Sequence, residues 1–222
     1  MTDHSQILLQ HGWGFDKNIW DTWVEFYPEY DFIIPDRGYY GKPVQVEYSG
    51  ITRAVTHSFG LHLLPAKLFN QLDVLVIIAG FQEFHPIDKI QRKLSQRIIR
   101  QMLNKLKDDP VSVLDQFIQN TYKPETVEFK SPEFIDAQLL HDDLQILNTH
   151  KLNLKPLDRI SKVIILHGDD DKVVPLSNAI GLHKKLSLSS IFIKKNSGHM
   201  LQISDTSWCL VHIKEVFYQR SF

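Results

Sequence analysis

The chain has 222 residues, 43% of them hydrophobic and 23% charged, with a formal net charge of −1. That length and balance fit one globular domain with a full core, and they exclude a disordered chain and a globally basic nucleic-acid binder. Cys209 is the only cysteine, which excludes an internal disulfide and a cysteine-built metal cluster.

Short β-type runs at 7–10, 30–34, 53–57, 74–78, 163–167 and 190–193 alternate with helical patterns at 17–26, 59–70, 176–186 and 206–218. Several runs are apolar on both faces, as strands covered by helices above and below must be. The alternation predicts an α/β fold, with a mostly parallel sheet flanked by helices. Between 81 and 156 no strand pattern occurs; helical patterns cover 87–107, 111–121 after Pro110, and 132–148. An inserted helical lid is expected there, with 1–80 and 157–222 as the core. A separate helical domain is the alternative, but both ends return to the sheet without a Gly/Ser-rich linker. The polar first residues and the absence of any apolar run near the ~20 residues of a membrane helix point to a soluble, cytoplasmic protein without a signal peptide. Histidines and carboxylates show no metal-ligand spacing, so no metal is expected.

Three constellations carry chemistry. The run at 53–57 ends in His57-Ser58-Phe59-Gly60, and a helical pattern follows at once. A serine on such a sharp strand-to-helix turn exposes its hydroxyl above a helix N-terminus. Upstream, the first strand ends in His11-Gly12-Trp13-Gly14, a tight turn that would leave the Trp13 amide free; an ordinary glycine turn is the other reading. Acyl transfer needs such donors, because the tetrahedral intermediate places a full negative charge on oxygen. One donor is worth roughly 2.7–4 kcal/mol, and the Phe59 amide would be the second.

Downstream, Asp169, Asp170 and Asp171 follow the run at 163–167. Asp171, four residues before the helix-opening Pro175, is the acid of choice; Asp169 and Asp170 read as turn or cap residues. Past the last strand comes Asn196-Ser197-Gly198-His199, where Gly198 would permit a tight loop carrying His199 over the sheet edge. The order Ser58, Asp171, His199 supplies a nucleophile, an acid that fixes the imidazole tautomer, and a general base. His11, His57 and His167 sit beside these motifs and read as loop-orienting residues.

Together, His11-Gly12-Trp13-Gly14 with Trp20, Ser58-x-Gly60, Asp171 to Pro175 and Gly198-His199 resemble an α/β-hydrolase. More narrowly, with the segment 144–157, they resemble the pimeloyl–acyl-carrier-protein methyl ester esterases of biotin synthesis, the BioH family. The resemblance implies hydrolysis of that methyl ester, with Ser58, Asp171 and His199 as triad and the Trp13 and Phe59 amides as oxyanion hole. It further implies that the side chains of Trp13, Phe59 and, from the lid, Phe117 line the acyl pocket. No cofactor is implied; the partner would be the acyl-carrier protein, and a monomer is expected.

The chain departs from that pattern in three places. Thr56 and Leu61 stand where the elbow has glycines, only 15 residues separate Arg37 from Arg53, which leaves little room for a helix, and Ser112 and Gln116 lie near Phe117 instead of lid arginines. A basic surface is nevertheless present, since Lys89, Lys93, Arg97 and Arg100 share one stripe of a helix. Carrier docking is expected on it, a solvated face being the alternative. Rival functions are an acyl thioesterase, a general short-chain carboxylesterase, another chemistry on the same triad such as C–C cleavage, and an inactive hydrolase-fold binding protein.

Overall fold

A computed structural model describes residues 6–218. Six strands, β1 (Ile7–Gln10), β2 (Phe32–Ile33), β3 (Arg53–His57), β4 (Val74–Ile78), β5 (Lys162–Gly168) and β6 (Ser189–Lys194), form one parallel sheet. Their order is β2-β1-β3-β4-β5-β6. The chain thus steps outward from β1 to β2, then crosses back to β3 and proceeds the other way. At such a switch point the loops leaving β1 and β3 diverge and open a crevice at the carboxyl ends of the strands.

Side-chain alternation along each strand builds two cores. Ile7, Leu9, Val55, Val76, Ile78, Ile164 and Leu166 face one side and pack on Trp20, Trp23, Leu201, Cys209 and Ile213. These come from a 3-10 turn (Lys17–Trp20) and from α1 (Asp21–Phe26), α7 (Leu201–Ser204) and α8 (Thr206–Tyr218). Leu8, Ala54, Leu75, Ile77, Val163 and Ile165 face the opposite side and pack on Leu61, Leu68, Leu157 and Leu182. Those residues belong to α2 (Gly60–Leu63), α6 (Leu176–His183) and the 3-10 turns at Leu68–Asn70 and Leu157–Arg159.

Between β4 and β5 lie three longer helices, α3 (Lys89–Leu106), α4 (Pro110–Tyr122) and α5 (Ala137–Thr149). Each starts where an aspartate caps it. Asp88, Asp109 and Asp136 accept from backbone N–H groups of the first turn. Their inward residues, among them Ile99, Leu106, Leu114, Leu140 and Leu144, join Trp13, Tyr39, Phe59 and Phe81 in a third cluster.

Three expectations shift. The helix expected over 59–70 stops at Leu63, because Leu64 precedes Pro65 and is extended (φ −70°, ψ 135°); a 3-10 turn at Leu68–Asn70 follows. The helix expected from 132 begins at Ala137, after an extended approach in which Asp136 N–H donates to the Tyr39 carbonyl at 2.8 Å. The strand expected over 30–34 keeps only two residues. Between β2 and β3, as the short spacing from Arg37 to Arg53 implies, there is no helix, only a loop closed by an Asp36–Val44 bridge whose Val46 and Tyr48 pack against the sheet.

Trp23 is fully buried, meets the Trp20 ring edge-on at 5.3 Å, and donates from Nε1 to the Gln202 carbonyl at 2.9 Å. Trp23→Ala should therefore lower the unfolding free energy by about 3–5 kcal/mol, seen as an earlier urea midpoint with an unchanged slope. A shift of a few tenths would contradict this packing.

Candidate active site

The first part of the site is the turn after β3. Ser58 has φ +53°, a left-handed conformation that a non-glycine residue adopts only when its surroundings fix it. Its N–H donates to the Ile78 carbonyl at 2.8 Å, carrying the β3–β4 ladder one residue beyond the strand. Two residues on, a Cβ at Gly60 would lie 2.6 Å from the His11 carbonyl oxygen and 2.7 Å from that of Gln10, so only glycine fits. Thr56 needs no such relief. It stays in β3, buried, with Oγ1 3.4 Å from the Val76 carbonyl. Leu61 likewise fills the core beneath the sheet.

The loop after β1 lies against this turn. His11 accepts from the Arg37 N–H at Nε2 (2.9 Å), so its Nδ1–H donates to the Gly12 carbonyl (2.9 Å), and burial lowers its pKa below the ordinary value. Among the described residues, neither the Trp13 nor the Phe59 backbone N–H donates to a protein acceptor. Both amides flank the Ser58 turn on adjoining loops.

The acid and the imidazole meet directly. Asp171, in the loop after β5, accepts His199 Nδ1–H on Oδ2 at 2.7 Å, and Val173 and Val174 N–H on Oδ1 at 2.8 and 2.9 Å. Burial pushes the Asp171 carboxyl up, but the His199 imidazole and its hydrogen bond, His167 and the Val174 amide together hold it below the usual value. The carboxylate therefore stays ionised and fixes His199 with its proton on Nδ1. The Nε2 lone pair is buried without a hydrogen-bond partner among the described residues. No hydrogen bond joins it to the Ser58 hydroxyl, a separation common in unliganded sites that tighten on the substrate.

Neighbouring residues hold this pair in place. Asp169 accepts the Asn196 N–H at 2.7 Å, and Asp170 N–H donates to Ser197, so the acid and histidine loops are laced together. His57 donates from Nε2 to the His199 carbonyl at 3.2 Å, its ring 4.8 Å from that of His199. His167 donates to the Val174 carbonyl at 2.9 Å. It is Asn196, not Gly198, that adopts positive φ (+55°); Gly198 is required because its Cβ would fall 1.9 Å from the Lys123 carbonyl oxygen.

Ser58 opens on a cavity of about 590 Å³. Its wall is mostly apolar, with Trp13, Phe84, Ile99, Met102, Phe117 and Leu144 among the lining residues, and Lys105, Gln116 and Lys172 add polar groups. Phe117 meets the Trp13 ring edge-on at 4.8 Å. The Phe59 ring is not part of this wall. It is fully buried, stacked on His62 at 5.6 Å in the third cluster, so only its amide reaches the site. Lys89, Lys93, Arg97 and Arg100 are exposed on α3 and do not line the cavity either.

Sequence reasoning missed the bonds that tie the three-helix segment down. Asp143 on α5 is fully buried and takes a bidentate pair from Arg37 (2.7 and 2.8 Å) plus the Tyr39 hydroxyl (2.7 Å). Trp13 Nε1 donates to the Leu140 carbonyl at 2.8 Å, and His199 N–H to the Thr121 carbonyl at 3.2 Å. Each joins residues far apart in sequence, and no local pattern announces them.

No protein-family model matches the sequence, and no curated protein matches it. Solved structures do match. An esterase from Exiguobacterium antarcticum superposes with a TM-score of 0.76 at 15% identity, covering 97% of this chain and 92% of its own. The fold is the α/β-hydrolase fold. A bromoperoxidase from Bacillus anthracis shares it with a TM-score of 0.75 at 17% identity, over 96% and 91% of the two chains. So does a hydrolase from Pseudomonas aeruginosa PA01, with 0.73 at 12% identity over 99% and 92%.

Burial sets the acid response of this hydrolase-fold core. It lowers the pKa of His11, His57 and His167, for His57 well below the ordinary value with the nearby His199 adding to the effect. Unfolded imidazoles take up protons near pH 6.5, so below that pH the unfolded state binds more protons and stability falls, by up to about 1.4 kcal/mol per pH unit for each histidine. The lowered Asp171 adds to the loss only below about pH 4. The urea midpoint should drop steadily from about pH 7.5 to about pH 5; a flat midpoint would contradict neutral burial of these rings.

Proposed function

We propose that the chain is a serine hydrolase of carboxylic esters, with Ser58 as nucleophile, His199 as general base and Asp171 as its orienting acid. The observation that carries this reading is the buried His199 Nε2, left without a partner while Asp171 holds Nδ1–H at 2.7 Å, in the same site as a serine on a strained strand-to-helix turn. His57 and His167 also bury an idle ring nitrogen, but of the three only His199 has its other nitrogen hydrogen-bonded to a carboxylate, as a general base requires.

In the first half-reaction Ser58 Oγ attacks the ester carbonyl carbon and its proton passes to His199 Nε2. The oxyanion accepts N–H bonds from Trp13 and Phe59, and the ionised Asp171 stabilises the imidazolium. Collapse breaks the bond to the alcohol oxygen, which leaves with the proton from His199, and the acyl group remains on Ser58. Water then gives a proton to His199 and attacks the acyl carbon. Collapse of this second intermediate releases the acid, and the proton returns to Ser58.

The apolar cavity supports a substrate with an aliphatic acyl chain, over which α3 to α5 would act as a lid. The narrower reading, the methyl ester of pimeloyl-carrier protein, draws support from the sequence resemblance alone. Mass spectrometry of the carrier separates it from a thioesterase, since the one loses a methyl group and the other the whole acyl chain.

A fluorophosphonate should label Ser58 in the wild type and fail to label Ser58→Ala. Hydrolysis of p-nitrophenyl butyrate should fall at least ~10³-fold in Ser58→Ala and about 10⁴-fold in Asp171→Asn, which leaves the imidazole in the wrong tautomer. An unlabelled, inactive wild-type protein would mean a hydrolase fold retained for binding alone.

A further inference from the structure

The exposed side of α3 carries more than charge. Ile87, just ahead of the helix, and Ile90, Leu94 and Ile98 on it are 82, 80, 57 and 47% exposed. The last three are spaced four residues apart and form one apolar stripe along the helix. Lys89, Lys93 and Arg97 each precede a member of that stripe by one residue. With Arg100 they form a parallel basic stripe, all four exposed. Among the described residues no carboxylate pairs with any of the four; the nearby Arg92, by contrast, is paired with Glu83.

On its other flank the apolar stripe meets the cavity. Leu94 and Ile98 are lining residues as well as surface residues, next to Pro86 and Gln91. Across the helix, therefore, unpaired cations give way to exposed aliphatics and then to the mouth of the apolar cavity beside Ser58.

A water-facing helix gains nothing from a row of exposed isoleucine and leucine, and contiguous patches of this kind mark contact surfaces. An acidic protein would use the cations, and would need an apolar patch of its own to cover the aliphatic stripe. A phospholipid surface uses both, because aliphatic side chains enter the boundary with the acyl layer while lysine and arginine stay among anionic headgroups. No described helix is long and apolar enough to cross a membrane, so attachment would be peripheral.

We infer that α3 docks the protein on an anionic phospholipid surface, with the cavity mouth against the acyl layer. For its substrate class, esters whose acyl chains pass from that layer into the cavity, the inference rests on the ester-hydrolase reading. The docking itself does not.

The test is cosedimentation of the full chain with vesicles. Wild type should sediment with equal parts phosphatidylglycerol and phosphatidylcholine, but not with phosphatidylcholine alone. Ile87→Ser/Ile90→Ser should lower the partition coefficient about tenfold or more, and Lys93→Glu/Arg97→Glu should do at least as much. The isoleucine variant should keep wild-type kcat/KM on p-nitrophenyl butyrate in vesicle-free buffer, which shows that it is folded. No sedimentation of the wild type with the anionic vesicles overturns the inference. So does an isoleucine variant that sediments like wild type, and capture by acidic carrier protein that only the charge variant loses would then assign α3 to a protein partner. Wild type that sediments but hydrolyses no soluble ester would keep the docking surface and remove the hydrolase reading.

Discussion

The site depends on one close approach. The first turn of α2 lies so near the end of β1 that no side chain can stand at position 60 between them, because the carbonyls of Gln10 and His11 already occupy the space. This contact presses the loop after β1 against the turn after β3. It brings together the two segments whose amides, at Trp13 and Phe59, have no acceptor among the described residues. It also helps to hold Ser58 in a conformation its own backbone disfavours. A turn that could relax would lose the serine's position and the donors' arrangement at once.

Around that point the other half of the site is built with hydrogen bonds. The loops carrying Asp171 and His199 come from neighbouring strands β5 and β6, and Asp169 and Asp170 bind them to each other before the acid and the imidazole meet. Buried histidines at 11, 57 and 167 each hold a backbone carbonyl of the site as neutral donors. The same burial that makes them good fixed donors makes them a liability in acid.

Much of this is legible in the chain. Strands such as 74–78 and 163–167 are apolar runs with no competing pattern, and the order of Ser58, Asp171 and His199 follows from short-range turn chemistry. Where a single residue overrode a pattern, the reading slipped. Pro65 cuts a helix that hydrophobic spacing alone would extend to residue 70. Asp136, by capping, starts α5 five residues later than the pattern began. Thr56 departs from the resemblance yet fits a strand without strain, since the demand for glycine falls on position 60 alone. The resemblance puts the Phe59 ring in the cavity, whereas stacking on His62 turns it into the core. What the chain conceals are the tertiary ties. Nothing local to Arg37 or Tyr39 indicates that both will converge on Asp143, about a hundred residues away.

The end of α4 has two occupations. Its Thr121 carbonyl takes the N–H of His199, and the carbonyl of Lys123 sits where a side chain at 198 would be. One turn earlier the same helix presents Phe117 to the cavity wall. One helix end therefore anchors both a wall of the chamber and the backbone of His199, so a displacement of that end would carry the two along together.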